Sequence, residues 1–339
     1  MNRATPTVSR ALVVLLIVAC IAGSGEPASA YLKLGTRVGG RLVTLKWERF
    51  PIRYFVTNRG SATVSPQQFQ TAVATAFSKW DTVPTAELSQ EFAGFTSASP
   101  SLGDGMTTIG FVDRPDQDRV LGATNFLIDT VDGEIIESDI FLNSTFPYSV
   151  AASGEVGRFD VESIALHEIG HLLGLGHSAI GETELRAGGR RVLGAEAVMF
   201  PIAFSSGTIE GRTLKADDIA GISDIYPNAL FRSERGSISG TVMKGGTGVF
   251  GAHVVAFNTR TGKLVGGFAL NQSGAFVIAG LEAGPHVLRV EPLDDGDIES
   301  FFDRTLNVDV NFQVKFHDRL IVVPRGGGVS NVAITVVPK

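Results

Sequence analysis

Residues 167–177 read HEIGHLLGLGH and put three imidazoles and a carboxylate in one short stretch: His167, Glu168, His171 and His177, with Gly174 between them. Residues four apart on an α-helix share a face, about 6 Å from each other, so His167 and His171 reach a common ion. Glu168 is rotated about 100° from His167, which directs its carboxylate at a water beside that ion rather than at the ion itself. Gly174 permits the left-handed backbone that ends a helix, and the chain can then turn back and bring His177 in as a third nitrogen ligand. Three protein ligands leave one tetrahedral position open, the mark of a catalytic rather than a structural zinc site. A bare H-E-x-x-H also fits an amphipathic core helix that happens to carry two histidines; the glycine and the third histidine at fixed offsets argue against that reading. Three of the chain's six histidines fall in this stretch, whereas His253, His286 and His317 stand at no ligand spacing and read as ordinary strand or loop residues.

Positioning such a site takes a helix and a sheet behind it. Asp160 is placed to cap a helix running from Val161 to about Leu173, with Ile164, Leu166, Ile169 and Leu172 for burial. Upstream, Pro51–Val56 alternates with a strand period. Ser65-Pro66-Gln67-Gln68 is a helix start, and Phe69, Val73, Phe77 and Trp80 then recur at helical spacing. Thr107–Val112, Leu121–Ile128 and Ile135–Leu142 read as strands, the last two joined by the turn sequence DTVDG.

The extended histidine motif, followed by Ala197-Val198-Met199-Phe200-Pro201, resembles the metzincin zinc endopeptidases, in which a methionine turn lies under the zinc; that role falls to Met199 here. Ser178 directly after His177 points within that clan to the matrixins, and Leu214–Ile222 through Tyr226 resembles the start of the last helix of a matrixin catalytic domain. The resemblance covers about residues 46–228 and implies an α+β domain, a twisted mixed sheet with a few helices. It implies one catalytic zinc, Glu168 as general base, and an extended substrate pairing with an edge strand near Leu121, Gly122, Ala123 and Thr124. The specificity pocket would run from Pro201 to about Gly211.

Three departures stand out. The residue two after the methionine is Pro201, where some metzincins carry a ligating tyrosine. No histidine precedes His167, so the second, structural zinc of matrix metalloproteinases is not expected. Residues 178–198, including Gly188-Gly189-Arg190-Arg191, make an insertion beside the cleft, read as a mobile loop or as surface decoration. Asp113, Asp116 and Asp118 crowd one loop and Asp129, Asp132 and Asp139 flank a turn; they are open to reading as calcium ligands or as solvated turn acids.

The net charge of −6 and the lack of a long Lys/Arg cluster set nucleic acid aside as a partner. Arg3 and Arg10, the apolar run Ala11–Gly23 and Ala28-Ser29-Ala30 read as a signal peptide over residues 1–30, too short to span a membrane, with export as the consequence. A lipid anchor on Cys20 or retention in a periplasm is the alternative. Cys20 is the only cysteine, so a mature chain from Tyr31 would hold no disulfide and no cysteine to block the zinc. After a short N-terminal segment (31–45) and the protease-like region, the texture over 236–339 changes to short glycine-spaced strands: Ser237–Val242, Val254–Phe257, Gly274–Ile278, Gly284–Val290, Val308–Phe316 and Val332–Val337. This pattern resembles the carboxypeptidase-regulatory-like or transthyretin-like fold, an all-β Ig-like sandwich, with surface or polymer attachment as one role. The combined reading is a secreted zinc endopeptidase acting on proteins or peptides. Its rival is a non-catalytic, zinc-stabilised surface-binding protein.

Overall fold

Residues 32–38, 41–187 and 189–339 are described by the computed structural model. The expected signal peptide, Cys20, Tyr31 and Gly188 lie outside the described residues. Two short strands, β1 (Gly35–Val38) and β2 (Arg41–Thr44), pair antiparallel in the N-terminal segment. Next come β3 (Ile52–Thr57), α1 (Pro66–Asp81), β4 (Gln90–Thr96), β5 (Thr107–Val112), β6 (Gly122–Ile128) and β7 (Ile135–Asn143). The five strands form one sheet in the order β4-β3-β5-β7-β6. All neighbours run parallel except β6, which is antiparallel to β7 and has its outer edge unpaired among the described residues.

The expected α1 start is present: Ser65 and Gln68 cap each other reciprocally with Pro66 at the first helical position. Its buried face, Phe69, Val73, Phe77 and Trp80, meets the sheet through a Tyr54–Phe77 stack at 4.4 Å and a Phe69–Phe111 contact at 4.5 Å. The strand β4 escapes the sequence reading because it is an edge strand with no fully buried position, so it lacks a clean two-residue period.

The two-residue strands β8 (Tyr148–Ser149) and β9 (Phe159–Asp160) lead into α2 (Val161–Leu172). Residues 178–198, expected from sequence to be an inserted mobile loop or surface decoration, contain an antiparallel hairpin of β10 (Gly181–Arg186) and β11 (Gly189–Ala195). Two helices follow, α3 (Ala216–Ile225) and the short α4 (Ala229–Glu234).

The remainder is β-rich. One sheet is built on β12 (Arg235–Lys244), flanked by β13 (Thr247–Gly248), antiparallel β16 (Ala275–Glu282) and parallel β20 (Gly328–Val336). The other contains β14 (His253–Asn258), β15 (Leu264–Phe268), β17 (Gly284–Glu291), β18 (Lys315–Phe316) and β19 (Ile321–Val323). Alternate residues of β12, β16 and β17 turn inward, and Ile238, Val242, Ile278, Leu288 and Val290 are buried in one cluster that also contains Ile169 and Leu172 of α2. One expected strand is corrected: over Val308–Phe316 only Lys315–Phe316 pairs, because Val308 and Val310 pack as loop side chains against a separate aromatic cluster. Among the described residues, no helix is long and apolar enough to cross a membrane.

Candidate functional site

Helix α2 carries the first two histidines, and its ends explain why it starts and stops where it does. Asp160 accepts from the backbone of Ser163 and is itself held by the guanidinium of Arg212. At the other end Gly174 has φ +96°, Gly174 N–H donates to the His171 carbonyl and Leu175 N–H to that of Gly170, the paired bonds of a Schellman ending. Carbonyls left over in the last turn are taken by aromatic donors: Trp47 Nε1 on Leu172 and Tyr226 Oη on Leu173. The chain reverses at once and brings His177 back to the helix.

The three rings converge. His171 Nε2 lies 3.1 Å from His167 Nε2 and 3.2 Å from His177 Nε2. Each Nδ1 faces a backbone carbonyl: Val198 for His167 and Leu175 for His171, both at 2.8 Å, and Ser300 for His177 at 2.6 Å. A carbonyl can only accept, so each Nδ1 carries the proton and each Nε2 presents a lone pair inward. Burial lowers the pKa of all three below the usual histidine value, that of His177 to about 3 with repulsion from His167 adding to it, so the rings are neutral. Three neutral nitrogens with inward lone pairs, each ring fixed from behind, fit a zinc ion, one of the borderline metals that imidazole ligands suit. Among the described residues these are the only three or more such ligand groups within 4.8 Å of one another.

The Glu168 carboxylate is buried against the edge strand. Thr124 Oγ1 lies 2.7 Å from its Oε2 and 3.0 Å from its backbone carbonyl. Burial pushes the Glu168 carboxyl up to about 7, against the lowering effect of that hydrogen bond. Gly122 allows this approach, since a Cβ there would come within 3.1 Å of Glu168 Oε1. A cavity of about 750 Å³ opens over the site. Leu121, Gly122, Ala123 and Thr124 are in its lining, as are Pro201, Ile202, Phe204 and Thr208. These are the segments expected to hold substrate.

Met199 packs its side chain against Gly170 of α2, where a Cβ would fall 2.2 Å from the methionine sulfur. Buried Asp218 holds this turn by accepting from Val198 N (2.8 Å), Met199 N (3.1 Å) and Lys215 N (2.8 Å). The sequence reading did not single out Gly170, Asp218 or Ser300. Asp218 was detectable as an acid three residues after a helix cap, whereas the contacts of Gly170 and Ser300 are long-range and leave no local mark.

The acids considered for calcium do not gather. Asp116 pairs with Arg114, and the loop carbonyls of Arg114, Gln117 and Val120 all accept from the Asn143 amide. Asp129 and Asp132 accept backbone N–H groups two residues ahead, as ordinary turn acids do. Asp139 is buried 1% exposed on the sheet, accepts from Thr108 N at 2.7 Å, and is pushed up to about 7 by burial.

Residues 46–227 match the family model described as Matrixin. The chain is similar to Metalloendoproteinase 1-MMP of Arabidopsis thaliana, 28% identical over 221 residues covering 60% of this chain and 50% of that protein. It is also similar to Metalloendoproteinase 1 of Glycine max, 31% identical over 175 residues, 47% of this chain and 45% of that protein. The chain thus spans about half the length of these two relatives.

Proposed function

The chain belongs to the matrixin family, and on that premise we propose that it is a secreted zinc-dependent endopeptidase. The observation that carries this reading is the convergence of His167, His171 and His177 beside the buried carboxylate of Glu168 and under an open strand edge. His167, His171 and His177 hold the metal. Zinc, when bound, supplies Lewis acidity that lowers the pKa of a water and polarises the scissile carbonyl.

The remaining work falls to the chain. Glu168 accepts a proton from the attacking water and passes it to the leaving amine. Thr124 orients the carboxylate. The unpaired edge of β6 takes the substrate backbone as an added strand, and the wall from Pro201 to Gly211 receives a substrate side chain. Met199 is a floor and not a ligand.

Residues 46–228 are the protease unit in this reading, and residues 236–339 an Ig-like sandwich of the carboxypeptidase-regulatory-like or transthyretin-like kind, supported by its two sheets. The apolar run Ala11–Gly23 before Ala28-Ser29-Ala30 supports export. A calcium role retains support only at Asp139, whose Oδ2 is buried without a hydrogen-bond partner.

The test is digestion of casein by the purified protein with and without a zinc chelator. Chelator-sensitive cleavage is expected, restored by zinc. A zinc-loaded protein that cuts no peptide would favour the rival, a zinc-stabilised binding protein, for which the complete ligand set and intact Glu168 give no support.

A further inference from the structure

Two of the three metal-facing imidazoles are oriented from within the family-matched segment, by the carbonyls of Val198 and Leu175. The third is not. His177 Nδ1 donates to the carbonyl of Ser300, 123 residues downstream and outside residues 46–227. We propose that residues 292–303, the first part of the connection between β17 and β18, are a positioning element of the metal centre, with Ser300 fixing the ring of His177. This inference rests on the metalloprotease reading and adds a role to the C-terminal region that mere attachment would not require.

The connection is built to hold that carbonyl still. Residues 298–300 form a single 3-10 turn, closed by Ser300 N on Asp297 O and Phe301 N on Ile298 O. The next residue, Phe301, is fully buried. Its ring lies 6.2 Å from that of His177 and 6.0 Å from Phe268, in a cluster with Phe250, Phe302 and Leu32. Gly296 leaves room for it, as a Cβ there would come within 2.7 Å of the Phe301 ring. From the other side the β10–β11 hairpin grips the same connection. Thr183 N donates to Asp295 Oδ1 at 2.7 Å, Thr183 Oγ1 to Asp295 O at 2.9 Å, and Arg190 to Asp294 O at 2.9 Å. The insertion therefore grips, at Asp294 and Asp295, the same connection that carries Ser300. An orienting acceptor behind a ligating imidazole is typically worth roughly tenfold to a hundredfold in metal affinity.

The test uses the full-length zinc-loaded protein and substitutions in the connection and its contacts that leave every metal ligand in place. Phe301→Ala should release zinc to an excess chromophoric chelator about tenfold faster or more, and at full cobalt(II) occupancy its visible d–d spectrum should change. Phe301→Leu, which keeps apolar filling, should restore most of both. Wild-type release and an unchanged cobalt spectrum in folded Phe301→Ala would overturn the proposal. If Phe301→Ala does not fold, the pair Thr183→Val with Asp295→Ala, at half-buried positions, decides by the same two readouts. A purified parent protein that takes up no zinc would instead overturn the underlying reading of the site, a different result from equal release rates.

Discussion

Thr124 on the edge strand and Glu168 on the zinc-site helix share a hydrogen bond of 2.7 Å, made inside the wall that the substrate would occupy. The same strand that would receive the peptide backbone thus aims the proposed general base. Thr124→Val keeps the side-chain shape and removes the hydroxyl. We expect kcat to fall roughly tenfold with zinc content unchanged, and Thr124→Ser to recover most of the loss, as steady-state kinetics on a peptide would show.

Glu168→Ala removes the carboxylate and no metal ligand. The variant should fold, bind one zinc per chain, and hydrolyse peptide at least about a hundredfold more slowly. Elemental analysis beside the rate measurement checks this, and near-normal turnover would refute the assigned role.

Gly170→Ala tests the floor of the site. The added methyl would sit 2.2 Å from Met199 Sδ and 3.0 Å from Trp80, so overpacking should cost about 1–3 kcal/mol. Shortening the partner relieves the clash, so Met199→Ala combined with Gly170→Ala should be less destabilising than the sum of the two. Chemical denaturation of the four proteins in a double-mutant cycle measures the coupling.

The Asp139 carboxyl, pushed from 3.8 to about 7 by burial, predicts a pH dependence of stability. Between about pH 4 and 7 the folded state keeps this proton while the unfolded chain has lost it, so stability should decline as pH rises through that window. Asp139→Asn retains an acceptor for Thr108 and has no charge to bury. Relative to the parent it should gain at least about 1 kcal/mol between pH 4 and pH 7.5 in calcium-free buffer. A parent that instead becomes more stable with pH, or only when calcium is added, would show that a cation meets the carboxylate.

How far the sequence foretold this arrangement depends on the range of each interaction. The caps at Ser65 and Asp160, the helix ending at Gly174 and the convergence of the three histidines are local, encoded within a few residues, and the structure places them as the spacing implies. The strand at Gly122–Ile128 was equally legible as an apolar run of strand length. The partners behind the rings were not. The carbonyls of Val198 and Ser300 come from residues 31 and 123 positions from their histidines, and a backbone acceptor has no residue-type signature. The 178–198 insertion looked irregular because its strands pair only with each other, and half-exposed polar pairs such as Glu184 and Arg191 carry no strand period.

If substrate adds to the edge of β6 that is unpaired among the described residues, as proposed, that rim limits what the protein could digest. Backbone donors and acceptors along a strand edge are the same for nearly every residue type, so selectivity there falls on the shape of the chain and not on its letters. A compact target whose strands are already satisfied offers nothing to that rim. Frayed tails, long loops and proteins that have partly come undone do, so the condition of a neighbouring protein would bear on its fate alongside the side chain that the wall from Pro201 to Gly211 accepts.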